Sequence, residues 1–322
     1  MRTRSQYFLL YLKGMTMGAA DVVPGVSGGT IAFITGIYQE LLDTIKGVRP
    51  EVLVLWRHEG LKAAWKRLNG NFLVVLFAGI FTSIISLAKG ITFMLATYPV
   101  LVWAFFFGLI VASTIIIWRQ IRAWNLTNVL TLLVGSAIAF FITIAAPAQI
   151  PDGLLYVFLA GCIAICAMIL PGISGSFILL LLGAYSTVLG SISGLVDGLR
   201  AVDIAVIIPN GINIGVFMGG CIVGIIAFSN FLSWLFKRAY DATMAGLTGF
   251  MVGSLNKVWP WKEVTQYRIN SHGEEVPFLD RSVLPSVFEQ VTGEPAMIGY
   301  VVLCALGGLL LVLIMERAAA RA

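Results

Sequence analysis

Residues 21–38 read DVVPGVSGGTIAFITGIY, a stretch that would break an ordinary membrane helix, set in a chain that is apolar almost everywhere. Pro24 pushes Val23 toward extended backbone, and the glycines after it permit a tight turn with accessible amides. The pattern returns 147 residues further on, where PGISGSFILLLLGAY (171–185) answers PGVSGGTIAFITGIY (24–38). The identities include Pro24/Pro171, Gly25/Gly172, Ser27/Ser174, Gly28/Gly175, Gly36/Gly183 and Tyr38/Tyr185. A second echo, GLIVAS (108–113) with GFMVGS (249–254), has a spacing of 141 residues, as do Trp118 and Trp259. Identities at near-constant spacing mark an internal repeat, which divides the chain into halves 1–150 and 151–322.

Composition sets the medium. The chain is 59% apolar and 11% charged, where a soluble domain carries about a quarter charged residues, so it is read as an integral membrane protein. Segments of about 20 apolar residues are spans, and six are expected: 71–89, 99–118, 127–146, 212–236, 239–259 and 296–314. Two more apolar regions, 14–42 and 154–190, are each interrupted by Pro-Gly. Each half thus reads as a broken segment followed by three spans. The N-terminal MRTRSQYFLLYLKG has no small-residue cleavage site after it, so a removable signal peptide is not expected. Cys162, Cys166, Cys221 and Cys304 all lie in apolar segments and read as packing residues. No metal site and no cofactor are expected.

Loop charge orients the halves. Residues 43–70 hold six Lys/Arg against three acids, and Arg119 and Arg122 follow the second span, so both loops read as cytoplasmic. PAQIPDG (147–153) has no base, and 257–295 has four bases against six acids; these read as external. The first broken segment, flanked by Lys13 and Lys46, must then enter and return on the cytoplasmic side, and the second on the external side. The expected fold is an all-α membrane protein with an inverted structural repeat, each half a re-entrant helical hairpin plus three transmembrane helices. Secondary transporters are commonly laid out this way.

An arm of about ten residues covers about 15 Å, half of the ~30 Å hydrocarbon core, which puts each Pro-Gly turn near the midplane. Irregular backbone there must be buried in protein or line a watery cavity. The returning arm starts at the turn, so its positive dipole end points into the membrane centre, as an anion site requires. Ser27, Gly28, Gly29 and Thr30 of the first tip, with Ser174, Gly175 and Ser176 of the second, are therefore candidate anion ligands. Pro24-Gly25 and Pro171-Gly172 make the turns. Helix packing alone explains Gly14/Gly18, Gly215/Gly219, Gly220/Gly224 and Gly249/Gly253, but packing does not require a break, let alone the same break twice. Asp21, whose counterpart is Met168, is either a coupling-ion ligand for H+ or Na+ or a cap for the adjacent amides. Lys89 and Lys237 close the first full span of each half, as snorkelling anchors or as residues that capture an anion at each membrane face. Trp118 and Trp259 read as interface anchors, and His58 as a solvated surface residue.

With those residues in view, GMTMGAADVVPGVSGGTIAFITGIY (14–38) and CAMILPGISGSFILLLLGAY (166–185) resemble the polyprenyl-phosphate translocase family of the PopT type, formerly a domain of unknown function. The resemblance covers nearly the whole chain. It implies a flippase that returns undecaprenyl phosphate, or a related polyprenyl-phosphate carrier lipid, from the outer to the inner leaflet of a prokaryotic cytoplasmic membrane for cell-envelope synthesis. The implied partners are that lipid and the surrounding membrane lipids, not nucleic acid; the loop charges place both termini in the cytoplasm. The residues alone say only that an anion is transported, which leaves an ion-coupled transporter or channel for a small inorganic anion as the alternative. A membrane enzyme is disfavoured, since no nucleophile with a base and no metal cluster is legible.

Overall fold

A computed structural model describes residues 2–21, 27–47, 51–145, 153–269 and 275–321. The chain runs through α1 (Arg4–Asp21), α2 (Gly28–Ile34), α3 (Tyr38–Lys46), α4 (Glu51–Glu59), α5 (Leu61–Arg67), α6 (Gly70–Thr97), α7 (Pro99–Trp118) and α8 (Leu126–Ile144). It continues through α9 (Leu154–Ile169), α10 (Gly175–Leu181), α11 (Ala184–Ala201), α12 (Ile204–Arg238) and α13 (Tyr240–Ser254). A hairpin, β1 (Lys262–Ile269) and β2 (Glu275–Ser282), then leads to α14 (Pro285–Thr292) and α15 (Ile298–Arg321). Four described helices, α6, α7, α8 and α12, are long and apolar enough to cross a membrane, and the bent pair α10–α11 makes a fifth if counted as one span. The protein is a multi-pass, predominantly helical membrane protein.

Several boundaries differ from expectation for local reasons. Helix α6 does not close at Lys89: Gly90 alone does not break it, and the helix runs on to Thr97, just before Pro99. Pro99 then opens α7 at a position where its missing N–H is harmless. Helix α12 begins earlier than expected because Asp203 caps it, accepting from the Ala205 amide at 2.9 Å.

The helices gather into two units, residues 1–85 with 145–243, and residues 86–144 with 244–322. Close helix pairs in both rest on glycine. In the first unit a Cβ at Gly14 or Gly18 of α1 would strike the α6 backbone, and one at Gly220 or Gly224 would strike α9. In the second, Gly108 and Gly308 bring α7 against α15, and Gly249 and Gly253 bring α13 against α8. The expected pair Gly215/Gly219 does no such work: nothing lies within 4 Å of a Cβ at Gly215, and only the Phe158 ring edge approaches Gly219.

The all-α expectation fails in one place, since 257–295 holds the antiparallel β1–β2 hairpin. It packs as a cap with α14 and the start of α15 over the first turns of α7, around Val100, Ala104, Trp261, Phe288, Ala296 and Val301. Trp259 is not a simple interface anchor: its Nε1 donates to the Val283 carbonyl at 2.8 Å, while Trp261 Nε1 donates to that of Ala296 at 2.9 Å. Beneath the hairpin the Lys262 ammonium sits 3.3 Å from the centre of the Trp103 ring. The Asp280 carboxylate lies 3.5 Å from Lys262 and 2.7 Å from Lys257. Burial pushes Lys262 down to about 7, with the neighbouring Asp280 opposing the shift. Burial alone would raise Asp280, but the two lysines hold it below its ordinary value.

Candidate functional site

Helix α1 ends at Asp21, and α2 begins after Ser27. Ser27 is extended (φ −122°, ψ 131°), and its Oγ accepts from the Gly29 amide at 3.1 Å. Asp21 Oδ1 accepts from the Gly28 amide at 2.7 Å. Two amides at the start of α2, orphaned by helix geometry, are thus capped from within the protein. Of the two roles open to Asp21, capping is the one its geometry displays.

The second tip is built differently. Ser174, also extended (φ −96°, ψ 129°), precedes α10 without capping it by its side chain. Its Oγ instead lies 2.8 Å from that of Ser176, and Ser176 is exposed. No carboxylate stands where Asp21 stands in the first tip, because the counterpart is Met168.

Each returning arm is itself broken, which the sequence reading missed. The tip helices α2 and α10 are seven residues long and are followed by Gly36 at φ 72° and Gly183 at φ 73°, a conformation glycine adopts without strain. Helix α11 then leaves α10 at 108°. The signal was present in the repeated Gly36/Gly183 and Tyr38/Tyr185. The carbonyls at the ends of the tip helices also find partners: Lys13 Nζ donates to Thr35 O at 2.7 Å, and the Tyr156 hydroxyl to Leu182 O.

The two tips interlock within the first unit. The Ser27 hydroxyl donates to Met168 O at 3.0 Å, and Tyr38 Oη donates to Ile169 O at 3.0 Å. The Gly172 amide donates to Thr30 Oγ1 at 2.9 Å. Gly29 must be glycine here, for a Cβ would lie 2.8 and 2.9 Å from the carbonyl oxygens of Met168 and Ile169. The physical logic is direct. Helix α9 ends at Ile169 with orphan carbonyls, Pro171 brings no donor to them, and lipid offers none. Ser27 and Tyr38 supply what is missing.

Of the residues expected at the site, Ser27, Gly28, Gly29, Thr30 and Asp21 are brought together with the 168–176 turn, which includes Pro171, Gly172, Ser174 and Gly175. Ser27 and Thr30 are 1% and 0% exposed and Ser174 8%, so only Ser176 presents a hydroxyl outward. Pro24 and Gly25 lie outside the described residues, as does the side chain of Lys89. Lys237 is exposed in the last turn of α12. Lys13, Tyr38 and Tyr156 are additions to the site: sequence reading assigned Lys13 and Tyr38 no role there and did not single out Tyr156. Among the described residues, no group of His, Cys, Asp or Glu is placed to hold a metal ion.

Fold and site together define a multi-pass membrane protein whose first unit holds two interlocked broken-helix tips. The chain belongs to the undecaprenyl phosphate translocase-like (VCA0040-like) family, whose model matches residues 17–276. It is 47% identical over 311 residues to the polyprenyl-phosphate transporter of Vibrio cholerae serotype O1, covering 97% of this chain and 96% of the relative. It is 30% identical over 261 residues to the polyprenyl-phosphate transporter of Staphylococcus aureus, covering 77% and 85%. No solved structure matches it significantly.

Proposed function

We propose that this protein transports polyprenyl phosphate, carrying undecaprenyl phosphate or a related carrier lipid from the outer to the inner leaflet of the cytoplasmic membrane. The observation that carries the reading is the meeting of the two repeated tips, in a chain whose relatives are polyprenyl-phosphate transporters. A phosphate headgroup needs donors to leave water, while its polyprenyl tail can stay in lipid. The tip region, Ser27 to Thr30 with Ser174 to Ser176, is the proposed headgroup site. Ser174 and Ser176 are its most available donors, because they bond each other and not the backbone of the opposite tip. Transport of this kind needs no bond-making step, so no catalytic residue is assigned.

The halves 1–150 and 151–322 form the proposed inverted repeat, with both termini in the cytoplasm. Three likenesses support it. Both tips pair a Ser-led seven-residue helix with a left-handed glycine. Helix α1 meets α6 on glycines as α9 meets α12, and α7 meets α15 as α13 meets α8. Cysteines placed at Lys62 and Val202, both exposed, should accordingly label from opposite sides of the membrane; labelling of both from one side overturns the inversion. Asp21 is proposed to exchange its cap for H+ or Na+ during transport.

The test of function is a leaflet-sensitive polyprenyl-phosphate assay in proteoliposomes with this protein as the sole added component. Net movement of the lipid between leaflets, unaffected by inorganic phosphate, is expected. A flux of inorganic anion with no lipid movement would instead establish the small-anion alternative.

A further inference from the structure

Residues 43–70 connect the first tip to α6 and by charge alone read as a solvated cytoplasmic loop, yet α4 and α5 present a different surface. Trp56 is 54% exposed, Leu61 68% and Trp65 44%, in a segment that also exposes Arg57, His58, Lys62, Lys66 and Arg67 against the two acids Glu51 and Glu59, both on α4. On α5 the two kinds of residue are sorted. Leu61 and Trp65 share one face, Lys62 and Lys66 form the strip beside it, and Ala64 turns into the protein at 5% exposure. The helix is also held at a defined level. Trp65 Nε1 donates to Asn71 Oδ1 at 2.8 Å, and the indole occupies the space a Cβ on Gly70 would need. It is therefore fixed to the first turn of α6, which is a membrane span.

We infer that α4 and α5 form an in-plane platform that binds the anionic lipid surface of the leaflet where α6 begins. Exposed tryptophans at a span's entrance sit at headgroup depth. Long lysines beside them keep their stems on the apolar boundary and their ammoniums among the headgroups. The bases match an anionic surface in charge, and the attachment to α6 holds them against it without a tether to close. The inference is independent of which substrate the tips carry.

The test uses the full-length protein with a spin label at Leu61→Cys, reconstituted in phosphatidylcholine vesicles and in phosphatidylcholine–phosphatidylglycerol mixtures. The label should become accessible to oxygen and shielded from a water-soluble nickel chelate, far more so in the anionic mixture. Each base at such a surface strengthens binding about fivefold, so Lys62→Gln, Lys66→Gln and Arg67→Gln combined should cut the membrane-bound population ratio at least tenfold. High salt on the unaltered bases should act in the same direction, which covers the case of a triple variant that folds poorly. Three results would overturn the platform: a label that stays in water in the anionic vesicles, equal insertion in both lipids whatever the salt, or shielding from oxygen and chelate alike, which would mean that a protein surface covers the face.

Discussion

The two tips share a sequence pattern and use it in opposite ways. In the first, each side chain that could donate or accept is committed to backbone: Asp21 to Gly28, Ser27 to Gly29 and Met168, Thr30 to Gly172. In the second, the hydroxyls of Ser174 and Ser176 turn to each other, and a methionine stands where the carboxylate would be. Two segments that share one motif thus act as a brace and a partner braced against. The lesson is that the hydroxyls of the same Pro-Gly-x-Ser-Gly motif can satisfy broken-helix backbone or pair with each other, and tertiary contacts decide which.

The largest expected effect tests the brace. In Gly29→Ala the new methyl would meet two backbone carbonyls that cannot swing aside, so the tips must separate, at about 3 kcal/mol. The counterpart Ser176 already carries a Cβ and is exposed, so Ser176→Ala should leave stability within about 0.5 kcal/mol. Thermal unfolding in detergent of the two variants side by side gives the measurement. Equal losses would erase the distinction between the tips.

The serines sharpen it next. Ser27→Ala leaves the Gly29 amide and the Met168 carbonyl without the partners they have here, which should cost about 2 kcal/mol of stability. Ser174→Ala should spare stability and instead weaken headgroup binding by about 1.5 to 3 kcal/mol, more than tenfold. The two substitutions should be non-additive in the affinity, because the tips touch. A Ser174→Ala protein that binds the headgroup normally would remove the second tip from the site.

Charge separates the tips as well. Asp21→Asn keeps an oxygen for the Gly28 amide but loses the charge, so it should cost about 1 kcal/mol and weaken any dependence of transport on pH or sodium. A background titration must be told apart from it. The Lys262 ammonium has a pKa lowered to about 7, so the docked cap holds fewer protons than the undocked chain between about 7 and the ordinary lysine value. Stability of the cap should therefore rise with pH across that window and be flat just below it. Lys262→Met should abolish the rise while leaving the Asp21 effect intact; a rise that survives would place the titration elsewhere.

Much of this was legible before any coordinates. Hydropathy located α7 and α8 almost to the residue, and the repeated motif located both tips. What was not legible depends on contacts between distant segments. That Ser27 reaches Met168, 141 positions away, follows from how α2 meets the end of α9. The break after each tip was encoded in Gly36 and Gly183 but needed a reason to look for left-handed backbone. Lys89 misled because a charge in an apolar run resembles an end, whereas the helix stops only at proline. The cap over α7 was missed because loop charge reports the side of a membrane and says nothing of strands.

The smallest expected effect tests the premise behind all the others, that the cost of losing a serine at a tip is the cost of unpaired backbone. Ser136, on α8, is the natural contrast: its hydroxyl is buried without a hydrogen-bond partner, and its backbone carbonyl lies where a Cβ on Gly253 would collide. Deleting that hydroxyl orphans nothing and relieves a buried polar group that has no partner. Ser136→Ala should therefore change unfolding by no more than about 0.5 kcal/mol, toward greater stability, and leave transport as it was. A loss comparable to that of Ser27→Ala would mean that any small polar residue packed between these helices is equally sensitive. The tip serines would then owe their effect to close packing, and the contrast between a brace and a ligand-facing tip would have to be rebuilt on other residues.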